Sequence, residues 1–232
     1  MTNDNANLFD PIHTPQQIYR KLLDAMSRPG TIHKMTDDMV GFHGWIGIQR
    51  IAGGFAMTVL DHEVSFVQLD QAYHVSDENI DSWTRDVILH TYAKQRSLRD
   101  AHFAFAWSEE VVGSERAEGI AQDLILYGKR GTLTRPDQSC TVFLGVYDLL
   151  DQPIDDIEIH EQTWNLQFTG PGIETMVRFA VMGLNPAWLS AREVINEEFP
   201  QGMDFVLFTS DGRLIAIPRT TRIEWEASTW HM

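Results

Sequence analysis

Helix-period and strand-period segments alternate through the first two-thirds of this chain, which predicts an α/β layer fold on a largely buried sheet. Apolar residues recur at three- and four-residue steps over 14–26, 45–59, 83–92 and 114–127, while short runs rich in Val, Phe and Leu occupy 64–69, 103–107 and 140–149. The last third changes to period-two alternation and carries one Asp-Gly hairpin signal.

The first helix starts at Thr14 as N-cap, with Pro15 at the first helical position and Gln17 three residues on, as a capping box requires. Ile18, Leu22, Leu23 and Met26 form its core stripe, until Pro29 forbids a further turn and pushes Arg28 toward extended geometry. Gly30 supplies the freedom for the reversal. Trp45, Ile48, Ile51, Ala52, Phe55, Ala56 and Val59 mark a second helix ending near Asp61, and a strand follows over 64–69. Trp83, Val87, Ile88 and Tyr92 mark a third helix, and Phe103-Ala104-Phe105-Ala106-Trp107 suits a buried strand. Ser114 caps a fourth helix carrying Ile120, Leu124 and Tyr127, which Gly128 and Gly131 end, and 140–149 reads as one further strand.

Trp164, Leu166 and Phe168 alternate toward Gly170, whereas 175–184 fits helix or strand equally. Asn185 and Pro186 open a helix through Trp188, Val194 and Ile195 that stops before Pro200-Gln201-Gly202. Strands over 203–209 and 213–218 flank the turn Ser210-Asp211-Gly212. The acidic stretch 151–161 reads as a solvated loop, and the termini, about 1–8 and 223–232, read as frayed ends of one domain spanning 1–232.

A chain of 232 residues with 43% hydrophobic content supports one large core and is short for two. Its 33 acids against 18 bases give a net charge of -15, which disfavours duplex DNA and anionic membranes as partners. A phosphate-bearing substrate requires a local basic pocket, on this chain or lent by another subunit. Cys140 is the only cysteine, so no intrachain disulfide forms. With no leader pattern at the start and no apolar stretch near about 18 residues, the expectation is a soluble cytoplasmic protein.

Catalytic templates give little. His62 with Asp61 and Glu63 is the one tight His-carboxylate cluster, but neighbouring residues do not face one way and neither HExxH nor CxxC occurs, so no metal is expected. Neither a Gly-x-Ser-x-Gly elbow nor a phosphate loop is present, and Cys140 lies in an apolar strand. Lys21, Lys34, Lys94 and Lys129 all read as solvated charges, none placed as a cofactor lysine would be. Asp61, Asp137, Glu174 and Asp204 stand near turns as potential acids or bases. Arg28, Arg135, Arg219 and Arg222 are the available anion-binding groups; Pro218-Arg219-Thr220-Thr221-Arg222 reads either as such a site or as a basic edge blunting a strand.

Five marks occur in order: Asp24-Ala25-Met26-Ser27-Arg28-Pro29-Gly30-Thr31; Leu60-Asp61; Gly131-Thr132 with Arg135-Pro136-Asp137; Gly170-Pro171-Gly172-Ile173-Glu174; and Phe199-Pro200-Gln201-Gly202-Met203-Asp204. The series resembles the PhnH family, subunits of the bacterial carbon–phosphorus lyase machinery, from about Phe9 to about Arg222. The resemblance implies a three-layer α/β/α sandwich with a mixed sheet, similar to the large domain of pyridoxal-phosphate-dependent transferases but without that cofactor. It also implies a homodimer that joins G, I and J subunits. With an additional ATPase-like L-type subunit, that assembly converts ATP and methylphosphonate to ribose 1-methylphosphonate 5-triphosphate and adenine; the I subunit is regarded as catalytic, and the chain itself as an accessory subunit.

Under this resemblance the motif residues either fix corners or dock a partner. Pro29, Gly30, Gly170, Pro171, Gly172, Pro200 and Gly202 read as structural corners. Arg28, Asp61, Arg135, Glu174 and Asp204 are the candidate interface or anion-binding residues. The alternative is a stand-alone small-molecule phosphotransferase or ribosyl-type transferase, with Asp61, Glu174 or Asp204 as acid or base and Arg28 or Arg135 on phosphate.

Overall fold

Five parallel strands make the centre of the protein. The computed structural model describes residues 10–36, 45–70, 80–154 and 162–227. In chain order the elements are α1 (His13–Ser27), β1 (His33–Lys34), α2 (Gly47–Val59), β2 (Ser65–Gln68), α3 (Ser82–Thr91), β3 (Lys94–Gln95), β4 (Phe103–Ala106), α4 (Glu109–Val112), α5 (Arg116–Tyr127), β5 (Thr141–Gly145), β6 (Asp148–Leu150), β7 (Thr163–Thr169), β8 (Val177–Met182), α6 (Ala187–Ile195), β9 (Asp204–Phe208), β10 (Arg213–Ile217) and β11 (Arg222–Ala227).

A seven-stranded sheet runs in the order β1-β10-β9-β5-β4-β2-β3, and its members from β9 to β3 are parallel. β10 and β1 add on antiparallel, so the sheet is mixed, as expected. Successive side chains of each strand point to opposite faces. Phe66, Phe105, Phe143, Val206, Phe208 and Leu214 enter a core with α1, α2 and α3. Val67, Ala104, Ala106, Val142, Leu144, Phe205, Leu207 and Ile215 enter the other core with α5 and α6. Both faces are therefore covered, which explains why the strands read as continuous apolar runs. On the first face Trp83 centres an aromatic cluster, its ring 4.7 Å from that of Trp107 and 5.6 Å from Phe105.

The second face departs from a plain helical layer. A four-stranded antiparallel sheet, β11-β7-β8-β6, packs there, with Leu166, Phe168, Phe179 and Val181 in the same core as α5 and α6. Three expectations change with it. The run 140–149 divides at Gly145 into β5 of one sheet and β6 of the other. The ambiguous 175–184 is strand β8, paired with β7 through six residue pairs. Residues 222–227, read as frayed from 223 onward, form β11 on β7, because Ile223 and Trp225 pack on that core while Glu224 and Glu226 face outward. The expectations for 1–8 and 228–232, and most of the acidic stretch 151–161, lie outside the described residues.

Helix α1 starts earlier than its Thr14 signal. Asp10 Oδ1 accepts from the amides of Ile12 at 2.8 Å and His13 at 2.9 Å, so Asp10 caps the helix and Thr14 is buried inside it. The core stripe is Ile18, Leu22 and Ala25; Leu23, expected in it, is 51% exposed because it stands one residue beyond Leu22 and turns to solvent.

Candidate functional site

The five motifs gather at the amino-terminal end of the parallel strands. Asp61 precedes β2, Arg135-Pro136-Asp137 precedes β5, and Asp204 opens β9. The Arg28-Pro29-Gly30 corner reaches the same end because β1 runs antiparallel to β10, and its Gly30 has φ +89°. A Cβ on Gly30 would meet Val177 Cγ1 at 2.9 Å, and one on Gly172 (φ +81°) would strike the Ser27 carbonyl and stand 3.0 Å from Pro29 Cδ. The two Gly-Pro corners are thus one joint, closed by backbone that only glycine permits.

The Thr132–Arg135 turn is self-contained. Thr132 and Arg135 exchange amide-to-carbonyl hydrogen bonds of 3.1 and 3.2 Å, and the Arg135 guanidinium grips Asp137 through Nε at 3.2 Å and Nη2 at 3.1 Å. Arg219 ties this turn to the last motif: Nη1 donates to the carbonyls of Pro136 at 2.9 Å and Pro200 at 3.3 Å, and Nη2 to Ser139 Oγ at 2.6 Å and Asp204 Oδ2 at 2.7 Å. Within the segment read as an anion site or a basic edge, Arg222 stands exposed at the start of β11, an outer strand of its sheet, while Arg219 turns inward. Its side chain is an internal bracket, only 15% exposed. Arg192 does the same one layer deeper, where Nη2 donates to the Thr221 carbonyl at 3.0 Å and to that of Pro218. Burial pulls the Arg192 guanidinium down to about 10.

Each candidate site residue therefore has a local account. Arg28 pairs with Asp24 one helical turn back, and that bond holds the Asp24 carboxyl below its usual range. Asp61 Oδ1 accepts the Glu63 amide at 2.8 Å in the turn between α2 and β2. Arg135 lies on Asp137, Asp204 on Arg219, and Glu174 stands exposed in the corner beside Pro29. The structure joins the Arg28 and Glu174 corners, and joins Arg135 to Asp204 through Arg219. Asp61 keeps to its own turn. Cys140 is fully buried, and burial raises its thiol to about 12, which suits an inert core residue.

At the opposite, carboxyl-terminal end of the strands lies a cleft of about 950 Å³. This is where open α/β sheets place ligands. Trp107 follows β4, Gly145 ends β5, Tyr147 and Asp148 follow it, and Ser210, Asp211 and Arg213 come from the β9–β10 turn. Arg213 is held by two carboxylates, Asp148 at 2.5 Å and Asp211 at 3.0 Å. Burial acts to raise the Asp211 carboxyl, but the Thr209 hydroxyl and the Arg213 guanidinium outweigh it and leave the group below its usual value. With Glu109 also in the lining, three acids face one base. Such a cleft repels phosphate and triphosphate groups.

Sequence reasoning missed this cleft, and none of Arg28, Asp61, Arg135, Glu174 or Asp204 lines it. Its one available signal was positional, a set of turns following apolar strands. It also missed Asp70 at the end of β2, whose carboxylate accepts the Trp107 amide at 3.1 Å and the Ser108 amide at 2.7 Å and so fixes the cleft wall. Burial raises the Asp70 carboxyl, with the two amides acting against it.

Comparison with known proteins adds the family. The model of a bacterial phosphonate metabolism protein family, PhnH, matches residues 6–224. The chain is 28% identical over 218 residues to the alpha-D-ribose 1-methylphosphonate 5-triphosphate synthase subunit PhnH of Rhizobium meliloti (strain 1021), covering 94% of each. It is 33% identical over 93 residues to the putative C-P lyase subunit protein HtxG of Stutzerimonas stutzeri, covering 40% of this chain and 42% of that one. Among the described residues no helix is long and apolar enough to cross a membrane, and none groups three or more potential metal ligands.

Proposed function

The chain belongs to the PhnH family of bacterial phosphonate metabolism proteins, and from that premise we propose that it acts as an accessory subunit of a carbon–phosphorus lyase complex in phosphonate catabolism. In this reading other subunits convert ATP and methylphosphonate to ribose 1-methylphosphonate 5-triphosphate, and this chain supplies architecture and contacts. The observation that carries it is the state of the motif residues: Arg28, Arg135 and Asp204 are each bound to an oppositely charged neighbour within a structural corner, leaving no nucleophile, base or anion cradle assembled from them. The acidic cleft supports the same conclusion, since it offers a phosphonate no excess positive charge.

The finer parts of the proposal are a cytoplasmic homodimer that joins G, I and J subunits, and kinship of the layered fold with the large domain of pyridoxal-phosphate-dependent transferases. The chain has four lysines, Lys21, Lys34, Lys94 and Lys129, and none is in the carboxyl-end cleft, which supports a fold used without a Schiff base. Co-expression of the tagged chain with G-, I- and J-type subunits tests the proposal. Stable co-purification, with no ATP turnover by the chain alone, is the expected result. Turnover of ATP and methylphosphonate by the isolated chain would instead establish the stand-alone transferase.

A further inference from the structure

We infer that β11 is the edge through which two copies of the chain pair, strand against strand across a two-fold axis, so that the four-stranded sheet continues from one copy into the next. The inference rests on the homodimer of the proposed function and names the residues that hold it. Four strands end the two sheets, and among the described residues only β11 offers an edge of useful length: β1 and β3 have two residues each, β6 has three and β11 six. One side of β11 pairs with β7 over its whole length, and the other row of backbone amides and carbonyls has no partner strand among the described residues. Such a row is a template for a further strand, and no proline interrupts it.

The strand is complementary to itself when reversed. Arg222, Glu224 and Glu226 share its outer face, while Ile223 and Trp225 share the core face and are only half-buried in a single copy. Arg222 and Glu226 lie about 13 Å apart along the strand, too far to meet, and neither joins an ion pair among the described residues. A two-fold axis through Glu224 sets Arg222 opposite the partner's Glu226 and Glu226 opposite the partner's Arg222, which makes two cross-strand ion pairs. The same axis lays Ile223 against the partner's Trp225 on the core face. One like-charge contact remains, Glu224 against its own copy. A row across the sheet relieves it, because Arg178 Nε donates to Gln167 Oε1 at 3.1 Å and Gln167 Nε2 donates to Glu224 Oε2 at 2.9 Å. β7 carries no charged residue and β8 only Arg178, so no other charge of those strands opposes the pairing. Neighbouring registers are poorer. An axis through Trp225 opposes Glu224 and Glu226 twice, and an axis through Ile223 draws in Thr220 and Thr221, which belong to the turn closed by the Thr221 amide on the Pro218 carbonyl at 2.9 Å.

Light scattering on the full-length chain over a concentration series tests the pairing. Wild type is compared with Arg222→Glu, with Glu226→Arg, with the two combined, and with Glu224→Cys. Wild type is expected to form a dimer, each single reversal to weaken it at least about tenfold by facing like charges across the axis, and the combined swap to restore it. Oxidation of Glu224→Cys is expected to give a covalent dimer, since that residue stands opposite its own copy with Cα atoms about 5 Å apart. Wild type, whose Cys140 is buried, and Glu118→Cys on the exposed side of α5 are expected to give none. The cross-link keeps the test decisive if a charge reversal impairs folding. A wild-type dimer left intact by both single reversals, at unchanged thermal midpoints and without the cross-link, would overturn the inference and leave the homodimer standing. A wild type that stays monomeric at its highest soluble concentration would remove both, and co-purification would still decide the subunit reading. Reversals that spare the dimer but lose the G-, I- and J-type subunits would also overturn it, because the edge would then take another subunit.

Discussion

Gly172 and Pro29, 143 residues apart in sequence, lie so close that a methyl group on the glycine would stand 3.0 Å from the proline Cδ. The Gly170–Glu174 corner is thereby locked to the end of α1, and through β7 and β8 to the second sheet. Gly172→Ala places a side chain at φ +81° against the Ser27 carbonyl. Left-handed strain and overpacking together cost about 2–4 kcal/mol. Thermal unfolding should show a midpoint lower by about 5–15 °C, whereas exposed Glu174→Ala should leave it unchanged. An alanine variant of wild-type stability would show that the two corners are free to separate.

Gly30→Ala acts on the other side of that joint, against Val177. Because both substitutions strain one contact, their effects should fail to add by about 0.5–3 kcal/mol in a double-mutant cycle followed by urea unfolding. Strict additivity would mean that the corners fold independently.

Arg219 and Asp204 make a second test of architecture against chemistry. Removing the guanidinium leaves Asp204 mostly buried without its cation and releases three further acceptors. Arg219→Ala should cost about 3–5 kcal/mol, the range for breaking a buried pair. Arg219→Lys should recover only part of it, since one ammonium cannot reach four acceptors in a plane. Urea midpoints distinguish this from a binding role: full recovery by lysine would point to a simple charge requirement.

How far the sequence led is clearest in particular elements. α2 was readable because Ile51, Phe55 and Ala56 fall on one face of a helix buried against one sheet. β11 was not, because Glu224 and Glu226 beside a chain end look like a frayed tail until β7 is there to pair with them. The break in 140–149 turns on Gly145, where a Cβ would press on Trp107 Cβ at 2.7 Å, a long-range reason that no local pattern contains. Asp10, four residues before Thr14, caps α1 because its carboxylate reaches the Ile12 and His13 amides, a preference that the local Thr-Pro-x-Gln pattern does not reveal. The pairing of the motif residues Arg28, Arg135 and Asp204 with Asp24, Asp137 and Arg219 depends on turns whose geometry only the fold defines. The cleft was hidden for the same reason, since its lining comes from segments spread between Ile48 and Arg213.

Histidine burial sets the behaviour on mild acidification. His102 Nδ1 accepts the Ser65 amide at 3.2 Å, and burial, reinforced by Lys129, holds its folded pKa below the ordinary 6.5. His33 is lowered by burial as well, with Asp24 opposing. The unfolded chain therefore takes up these protons first. Stability should be intact above about pH 6.5 and decline as the pH falls below it. His33→Gln with His102→Gln should flatten that decline in urea titrations between about pH 7 and 5; an unchanged slope would assign it to other groups.

Asp70 titrates in the opposite sense and can be separated from the histidines. Its folded pKa is raised by burial above the ordinary 3.8, so the folded state binds the proton more tightly than the unfolded one. Its contribution to stability therefore grows as the pH falls through the folded pKa, and is lost as the pH rises through it. Asparagine cannot titrate but still offers one oxygen to the Ser108 amide, so Asp70→Asn keeps part of the cleft wall. The stability difference, wild type minus Asp70→Asn, should widen in favour of the wild type as the pH drops from about 6 to about 4. A constant or shrinking difference across that range would mean that the amides of Trp107 and Ser108, rather than burial, govern this carboxyl.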